Sequence, residues 1–202
     1  MDNNKLINLE EARNILNFAK RVRPLLNGLT VEYGDIFAYY PNEFKITIPK
    51  EFQYEEVGMN ILEHVNKEFG AEFEFNLREM SIQALLHECG HHLDYEGKIM
   101  TNQIYDYMEA DDYNRKLFQD ACDEFSNKVN DFYDKLDKYK MGSEDSDELE
   151  FELEMKQIEL EKEDEALDIL YRLIPTEYAA DEFSARFFMT YLKPYRLCNY
   201  NI

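Results

Sequence analysis

The sequence predicts an α+β fold, in which a small antiparallel sheet packs on a long helix and the C-terminal half is mostly helical. Three observations predict it. Apolar residues recur every three or four positions over most of the chain, which is the helical period. Two runs rich in β-branched and aromatic residues lie close together within residues 31–50. A chain of 202 residues that is 45% hydrophobic can bury one sizeable core, so we expect a single domain over residues 1–202.

The first predicted elements are a helix and a β-hairpin. Residues 8–26 carry apolar side chains at helical spacing, and Pro24 and Gly28 indicate where this helix ends. The two strand-like runs are VEYGDIFAYY at 31–40 and FKITIPK at 44–50. The Pro-Asn pair between them predicts a turn, and together the runs predict a hairpin.

A second helix, a short strand and a long helix follow. Residues 55–69 have helical spacing, and residues 71–75 (AEFEF) alternate apolar and acidic, which predicts a strand with one wet face. Asn76 is a good N-cap for the next helix, and Glu79, three residues on, completes the pattern of a capping box. Gly97 is the expected C-terminal stop of this helix.

Residues 98–174 differ from the rest in being strongly acidic. Apolar positions at helical spacing predict a long helix over 113–139, and the Glu-rich run 149–173 suits a second helix. We therefore expect 98–174 to be an acidic helical insertion within the domain. A last helix is predicted over 176–192, ended by Pro194.

The formal net charge of −21 limits the classes of function. Such a surface repels the phosphates of nucleic acids and anionic lipid headgroups, so we expect no direct nucleic-acid or membrane partner. No run is apolar enough to span a bilayer, and the N-terminus lacks the apolar core of a signal peptide. Cys89, Cys122 and Cys198 are odd in number and far apart, which is typical of reduced thiols. These points predict a cytoplasmic protein.

Three of the four histidines lie in the string HECGHH on the long predicted helix. His87 and His91 are four residues apart, so they point the same way one turn apart and can bind one Zn²⁺. Glu88 lies where a general base could reach a water at the metal. Cys89 and Gly90 are small, which permits close approach of a partner segment. The alternative is that both histidines are ordinary helix residues.

A catalytic zinc site usually has three protein ligands. The metzincin pattern would need glycine at 94 and histidine at 97, and Asp94 and Gly97 exclude that class. Asp94 lies near the face of His91, but its short side chain is almost two turns from His87, so a chelate would be strained. Glu177 is the better candidate for the third ligand.

Glu177 and Asp181 are four residues apart, so both carboxylates project from one face of the last predicted helix. One can bind the metal while the other accepts a ring N–H from a ligand histidine. Ala179 and Ala180 keep the local surface flat, so this helix can lie against the histidine helix. The alternative is a solvated acidic face at a helix start, where the helix dipole favours carboxylates. The spacing alone leaves both interpretations open.

The segments LLHECGHHLDYEG and EYAADEFSARFFMTYL together resemble the ImmA/IrrE-type metallopeptidases, a gluzincin-like group. The second segment matches the family pattern at Glu177, Ala180, Asp181 and Phe183, and departs from it at Ser184, where the family usually has alanine. The match covers these two short segments. The acidic insertion is longer than the spacer expected for the family.

The resemblance implies a zincin-like fold in which His87, His91 and Glu177 bind Zn²⁺. It also implies that Glu88 is the catalytic base and that Asp181 holds a ligand histidine. Members of the group typically cleave a transcriptional repressor in the cytosol, and they are often encoded with a mobile element or prophage. The resemblance therefore implies an intracellular protein or peptide substrate.

The predicted reaction is peptide hydrolysis by a zinc-activated water. Glu88 takes the proton of the water and passes it to the leaving amine. The candidates for stabilising the oxyanion are Tyr95, Tyr171, Tyr178 and His92, among which the sequence does not choose. The strand at 44–50 is the candidate edge for pairing with an extended peptide.

A rival from another class is a non-catalytic acidic binding protein, a nucleic-acid mimic or inhibitor with a vestigial or structural metal site. Its acidic run, 144–165, would occupy the binding groove of a basic protein. The same run also fits a plain solvated helix face. A mixed hypothesis keeps the peptidase and lets the acidic insertion recruit a basic substrate.

Overall fold

The computed structural model describes residues 5–51, 55–101, 103–140 and 147–194. The chain divides into two compact units, called here the core unit (residues 1–105 with 176–202) and the helical unit (residues 106–175). The expectation of a single domain over 1–202 with an insertion at 98–174 stays a prediction.

Six helices form most of the described chain, and the predicted α+β class with a mostly helical C-terminal half is confirmed. They are α1 (Leu9–Val22), α2 (Glu55–Phe69), α3 (Leu77–Met100), α4 (Ile104–Lys140), α5 (Asp147–Arg172) and α6 (Pro175–Phe187), with a π-helical turn, Phe188–Leu192, after α6. Within the described ranges, no helix combines the length and apolarity needed to cross a bilayer.

The sheet has three strands, β1 (Thr30–Tyr33), β2 (Ala38–Tyr40) and β3 (Lys45–Ile48), in the order β1-β3-β2. β2 and β3 pair antiparallel, as the hairpin predicted, but β1 and β3 pair parallel. The expectation of an antiparallel sheet is therefore wrong, because the sheet is mixed.

The first strand-like run breaks at Gly34, so it forms two strands, β1 and β2, instead of one. A methyl group at Gly34 would lie 2.6 Å from Cβ of Thr47, so only glycine lets the chain leave β1 so close to β3. After β2, a 3₁₀ turn at Pro41–Glu43 and a left-handed Phe44 (φ 49°) reverse the chain. β3 then enters between the two earlier strands.

Two strand predictions fail. The run 44–50 was the candidate edge, but β3 is the central strand and both of its edges are paired. The run 71–75 forms no strand, and its alternation of buried and exposed side chains ends at Phe75, which is 60% exposed. Its backbone is held by side chains instead, since Asn66 exchanges two hydrogen bonds with the backbone of Phe73 and Glu79 accepts from the N–H of Glu74.

The histidine-bearing helix α3 begins as predicted and ends later. The Asn76 side chain accepts from the N–H of Glu79, which confirms the N-cap. Because the Glu79 carboxylate bonds Glu74 instead of Asn76, the capping box is half formed. Gly97 does not end the helix, which continues to Met100.

The core of the core unit is built from side chains of the sheet and of α1, α3 and the π-helical turn. Ile46 and Ile48 of β3, Leu85 and Leu86 of α3, and Phe188 are fully buried in one cluster. Burial of these side chains at about 25 cal/mol per Å² fixes the face of α3 that meets the sheet.

Candidate metal centre

Helices α3 and α6 pack at very short range where Gly90 meets Ala180. A methyl group at Gly90 would lie 2.6 Å from Cα of Ala180 and 3.0 Å from its carbonyl oxygen. Two small residues thus let the helix backbones approach, which confirms the expectation drawn from their positions in the sequence. This contact places the two carboxylates of α6 beside the histidines of α3.

His87, His91 and Glu177 come together at this contact. Oε2 of Glu177 lies 3.2 Å from Nε2 of His87 and 3.4 Å from Nε2 of His91. The two imidazole rings are 4.6 Å apart between centroids and almost perpendicular, at 88°. One candidate ligand atom from each of the three residues lies within 4.8 Å of the other two, so together they could hold a metal ion.

These separations match a zinc coordination shell. Tetrahedral ligands at about 2.0–2.1 Å from zinc lie roughly 3.4 Å from one another. Both nitrogen–oxygen distances at Glu177 are close to that value. Two imidazole nitrogens and one carboxylate oxygen are also a donor set that zinc accepts in catalytic sites. The residues present therefore fit the metal predicted from the sequence.

Asp181 fixes the orientation of the His87 ring. Its Oδ1 lies 2.7 Å from Nδ1 of His87, so the N–H at Nδ1 donates to the carboxylate. In the neutral ring, Nε2 then presents a lone pair toward the Glu177 carboxylate. Two acceptors at 3.2 Å repel each other unless a proton or a metal cation lies between them. A proton on Nε2 of His87 satisfies this contact when no metal is bound, and a metal ion could take its place.

Both carboxylates of this cluster are buried, which adds to the need for a positive charge beside them. Glu177 and Asp181 are 2% and 0% exposed, and buried carboxylates are costly unless they are paired. Burial alone would lower the pKa of His87, but hydrogen bonds to Asp181 and Glu177 raise it to about 9. Burial also opposes the charge of Glu177, but hydrogen bonds from His87 and His91 hold its pKa well below the usual range. A divalent cation would balance the two negative charges.

Two residues that the sequence analysis missed support Asp181. The amide of Gln83 donates to Oδ1 of Asp181 at 3.3 Å and lies 3.5 Å from Oγ of Ser184. Ser184 itself donates to the backbone carbonyl of Asp181 at 2.8 Å. Gln83 precedes His87 by four residues and so shares its helix face, but this spacing alone does not single out its amide.

Glu88 lies beside the ligand group on α3 and is half-buried. Its negative charge contributes to raising the pKa of His87, the residue before it in the chain. Asp94, the alternative third ligand, is not part of the group that the described residues form.

His92 is not available to stabilise an oxyanion. Its Nε2–H donates to the carbonyl of Leu25 at 3.0 Å, and its Nδ1 accepts from the hydroxyl of Tyr39 at 2.7 Å. Burial lowers the pKa of His92, which favours the neutral ring that this pairing needs. His92 therefore ties α3 to β2. Tyr178 packs edge-on against Phe69, with centroids 5.1 Å apart.

Cys89 and Cys122 are free thiols, and Cys198 lies outside the described residues. Burial and the negative charge of Glu88 both raise the pKa of the Cys89 thiol, so it is a poor nucleophile.

No known protein family, no curated protein and no solved structure matches the chain. The resemblance to the ImmA/IrrE-type metallopeptidases therefore remains a prediction from two short motifs.

Proposed function

We propose that the protein is a zinc-dependent metallopeptidase with a zincin-like site. The observation that carries the proposal is the convergence of two imidazole nitrogens, from His87 and His91, on one buried carboxylate oxygen of Glu177. Three protein ligands leave one tetrahedral position for substrate or water, which is the arrangement of catalytic zinc and not of closed structural sites.

A zinc ion held by these atoms supplies Lewis acidity, which polarises a peptide carbonyl and makes water nucleophilic near neutral pH. The side chains of the protein orient the ligand histidine and transfer the protons. Asp181 keeps the proton of His87 on Nδ1, so that Nε2 stays free as a ligand. Glu88 is the general base, taking a proton from the attacking water and delivering it to the leaving amine.

The proposed substrate is a protein or peptide in the cytosol, such as a transcriptional repressor. The resemblance of the two motifs to the ImmA/IrrE-type group supports this choice. The free thiols of Cys89 and Cys122 suit a reducing compartment. The net charge of −21 disfavours nucleic acid and anionic membrane as partners.

The metal is tested by its content in the purified protein. We expect about one zinc per chain, the ratio of a mononuclear site, measured by plasma mass spectrometry. His91→Ala should abolish it. His64→Ala is the matched control, because His64 is a half-buried histidine on α2 outside the ligand group and should keep the zinc. A zinc-free protein with unchanged stability and activity would contradict the proposal.

The chemistry is tested by Glu88→Gln. This variant should keep its zinc and its fold, because the side chain is close in size and is not a ligand. Cleavage of a proteome-derived peptide library should fall by about 10²- to 10⁴-fold, the usual contribution of a general base. If the Glu88→Gln protein keeps the full biological effect of the wild type, the result supports the rival hypothesis that the protein is a non-catalytic acidic binding protein.

A further inference from the structure

The helical unit leaves an apolar seam partly open. Leu153 and Leu160 of α5 are each 7% exposed, whereas the apolar residues that face them from α4 remain half-exposed. These α4 residues are Phe125, Val129, Phe132 and Leu136, spaced by four, three and four. Lys128 of α4 bridges to Glu163 of α5 at 3.0 Å, which holds the helices side by side. Two helices alone cannot enclose such a stripe.

A groove of about 590 Å³ follows this seam. Its floor is apolar and aromatic, and its rim on α5 carries four carboxylates. The lining consists of Phe125, Val129, Phe132, Tyr133, Leu136, Tyr139, Glu150, Leu153, Glu154, Gln157, Leu160, Glu161 and Asp164. The lining residues thus include carboxylates but no lysine, arginine or histidine, so a ligand must be apolar on one face and basic at its margins.

The charge of the whole unit points to the same ligand. Residues 106–175 contain 23 acidic and nine basic residues, so they account for −14 of the chain's net charge of −21. A field of this sign attracts basic proteins and repels nucleic acids, anionic lipids and a second copy of this chain.

The dimensions suit a helix. The part of α5 that lines the groove, from Glu150 to Asp164, is about 20 Å long at 1.5 Å per residue. A third helix laid along two others buries a shared apolar seam by ordinary ridge-into-groove packing. Amphipathic helices are bound in apolar grooves in this way in many protein complexes.

We propose that the groove between α4 and α5 binds a basic amphipathic helix of a partner protein. The apolar face of that helix packs on the floor around Val129 and Leu153, and its lysines or arginines pair with Glu154 and Glu161 at the rim. This inference goes beyond the peptidase proposal, because none of these residues belongs to the metal centre.

The outer face of α5 provides an internal comparison. Phe151, Met155 and Ile158 line a second apolar hollow there, of about 450 Å³. Its lining includes Lys156 and Lys162 as well as Glu152 and Glu159. Because its charges are mixed, it lacks the uniformly acidic rim that selects a basic ligand.

The probe is a synthetic Leu/Lys peptide of about 15 residues with helical spacing, long enough to cover the groove. Its binding to the full-length protein is followed by fluorescence anisotropy. Glu154→Lys with Glu161→Lys should weaken binding by about tenfold, because two attractive rim pairs become repulsive. The matched control is Glu152→Lys with Glu159→Lys, which has the same spacing and charge change on the other face and should weaken binding about twofold at most.

Three results would overturn the proposal. Equal weakening by both double variants would show attraction to net charge and not to the groove. Equal affinity for a scrambled peptide of the same composition would show that an amphipathic helix is not what is bound. Self-association of the protein that excludes the peptide, seen by sedimentation velocity, would show that the groove serves a second copy. The four substituted positions are exposed, and circular dichroism checks that each variant keeps its helicity.

Discussion

Gln83 contacts the candidate metal site indirectly, through the carboxylate of Asp181. Its amide donates to the same carboxylate oxygen that accepts a hydrogen bond from Nδ1–H of His87, so one oxygen of Asp181 serves two donors. The motif could be predicted because metal ligation requires fixed residue types at fixed spacing. Gln83 could not, because an amide on a helix face has many uses and its partner lies 98 residues away.

The role of Gln83 can be measured through zinc affinity. Gln83→Leu keeps the volume but removes the donor, so the Asp181 carboxylate loses part of its orientation and His87 becomes a weaker ligand. We expect the zinc dissociation constant to rise by about threefold to tenfold, below the roughly 10- to 100-fold usual when a direct partner of a ligand is lost. Competition with a chromogenic chelator gives the constant.

Ser184→Ala is the control for Gln83→Leu. The Ser184 hydroxyl donates to the backbone carbonyl of Asp181 and lies 3.5 Å from the amide of Gln83. Zinc affinity should therefore fall by less than in Gln83→Leu, which removes the donor to the carboxylate itself. An equal loss of affinity in both variants would indicate general loosening of the site instead of an effect on the carboxylate.

At the level of elements, the helices and the antiparallel pairing of β2 with β3 were predictable, but the order of the strands was not. The apolar period of α1 and the Asn76 cap of α3 are local signals, and the structure confirms both. Strand order depends on pairing between distant segments. The parallel pairing of β1 with β3 joins segments 15 residues apart, such as Thr30 with Lys45, and no local pattern reveals it. The run 71–75 resembles a strand only in its alternation of apolar and acidic residues, because Phe75 at its end is exposed.

The spacing between α3 and α6 is the element-level feature on which the metal centre depends. Gly90→Ala would place a methyl group 2.6 Å from Cα of Ala180, a backbone atom that cannot move without its helix. The helices should separate, and Glu177 should move away from the histidines. We expect a loss of about 1–3 kcal/mol in stability, as for other overpacked interiors, together with weaker zinc binding.

Gly97→Ala is the matched control on the same helix. A methyl group at Gly97 meets no atom within 4 Å, so helix propensity alone should act and stabilise the protein by up to about 1 kcal/mol. Urea unfolding and zinc titration of both variants give the comparison. If Gly90→Ala binds zinc as tightly as Gly97→Ala does, the close helix contact is not what positions the ligands.

At the level of the whole molecule, the chain brings together residues that are far apart in sequence. His87 and Asp181 are 94 residues apart, and the helical unit lies between them in the chain. Composition indicated the different character of this segment, since its charge is much more acidic than that of the rest. Its groove could not be predicted, because a groove depends on which stripes of two long helices face each other.

The same charge excess should make stability depend on salt. With a net charge of −21, repulsion among carboxylates opposes the compact state, and salt screens it. The screening length falls from about 30 Å at 0.01 M to about 8 Å at 0.15 M ionic strength. Over this range the unfolding midpoint should rise by about 3 °C, which corresponds to about 1 kcal/mol for a chain of this size. Circular dichroism at a fixed zinc concentration measures it.

The Glu154→Lys, Glu161→Lys protein serves as the comparison for this salt effect. Each substitution removes one negative charge and adds one positive charge, so the net charge changes from −21 to −17. This variant should therefore unfold at a higher temperature in low salt and gain less from added sodium chloride, because it has less repulsion to screen. If the wild-type midpoint instead falls as salt is added, attractive ion pairs such as Lys128–Glu163 outweigh the repulsion, and the acidic excess does not limit stability.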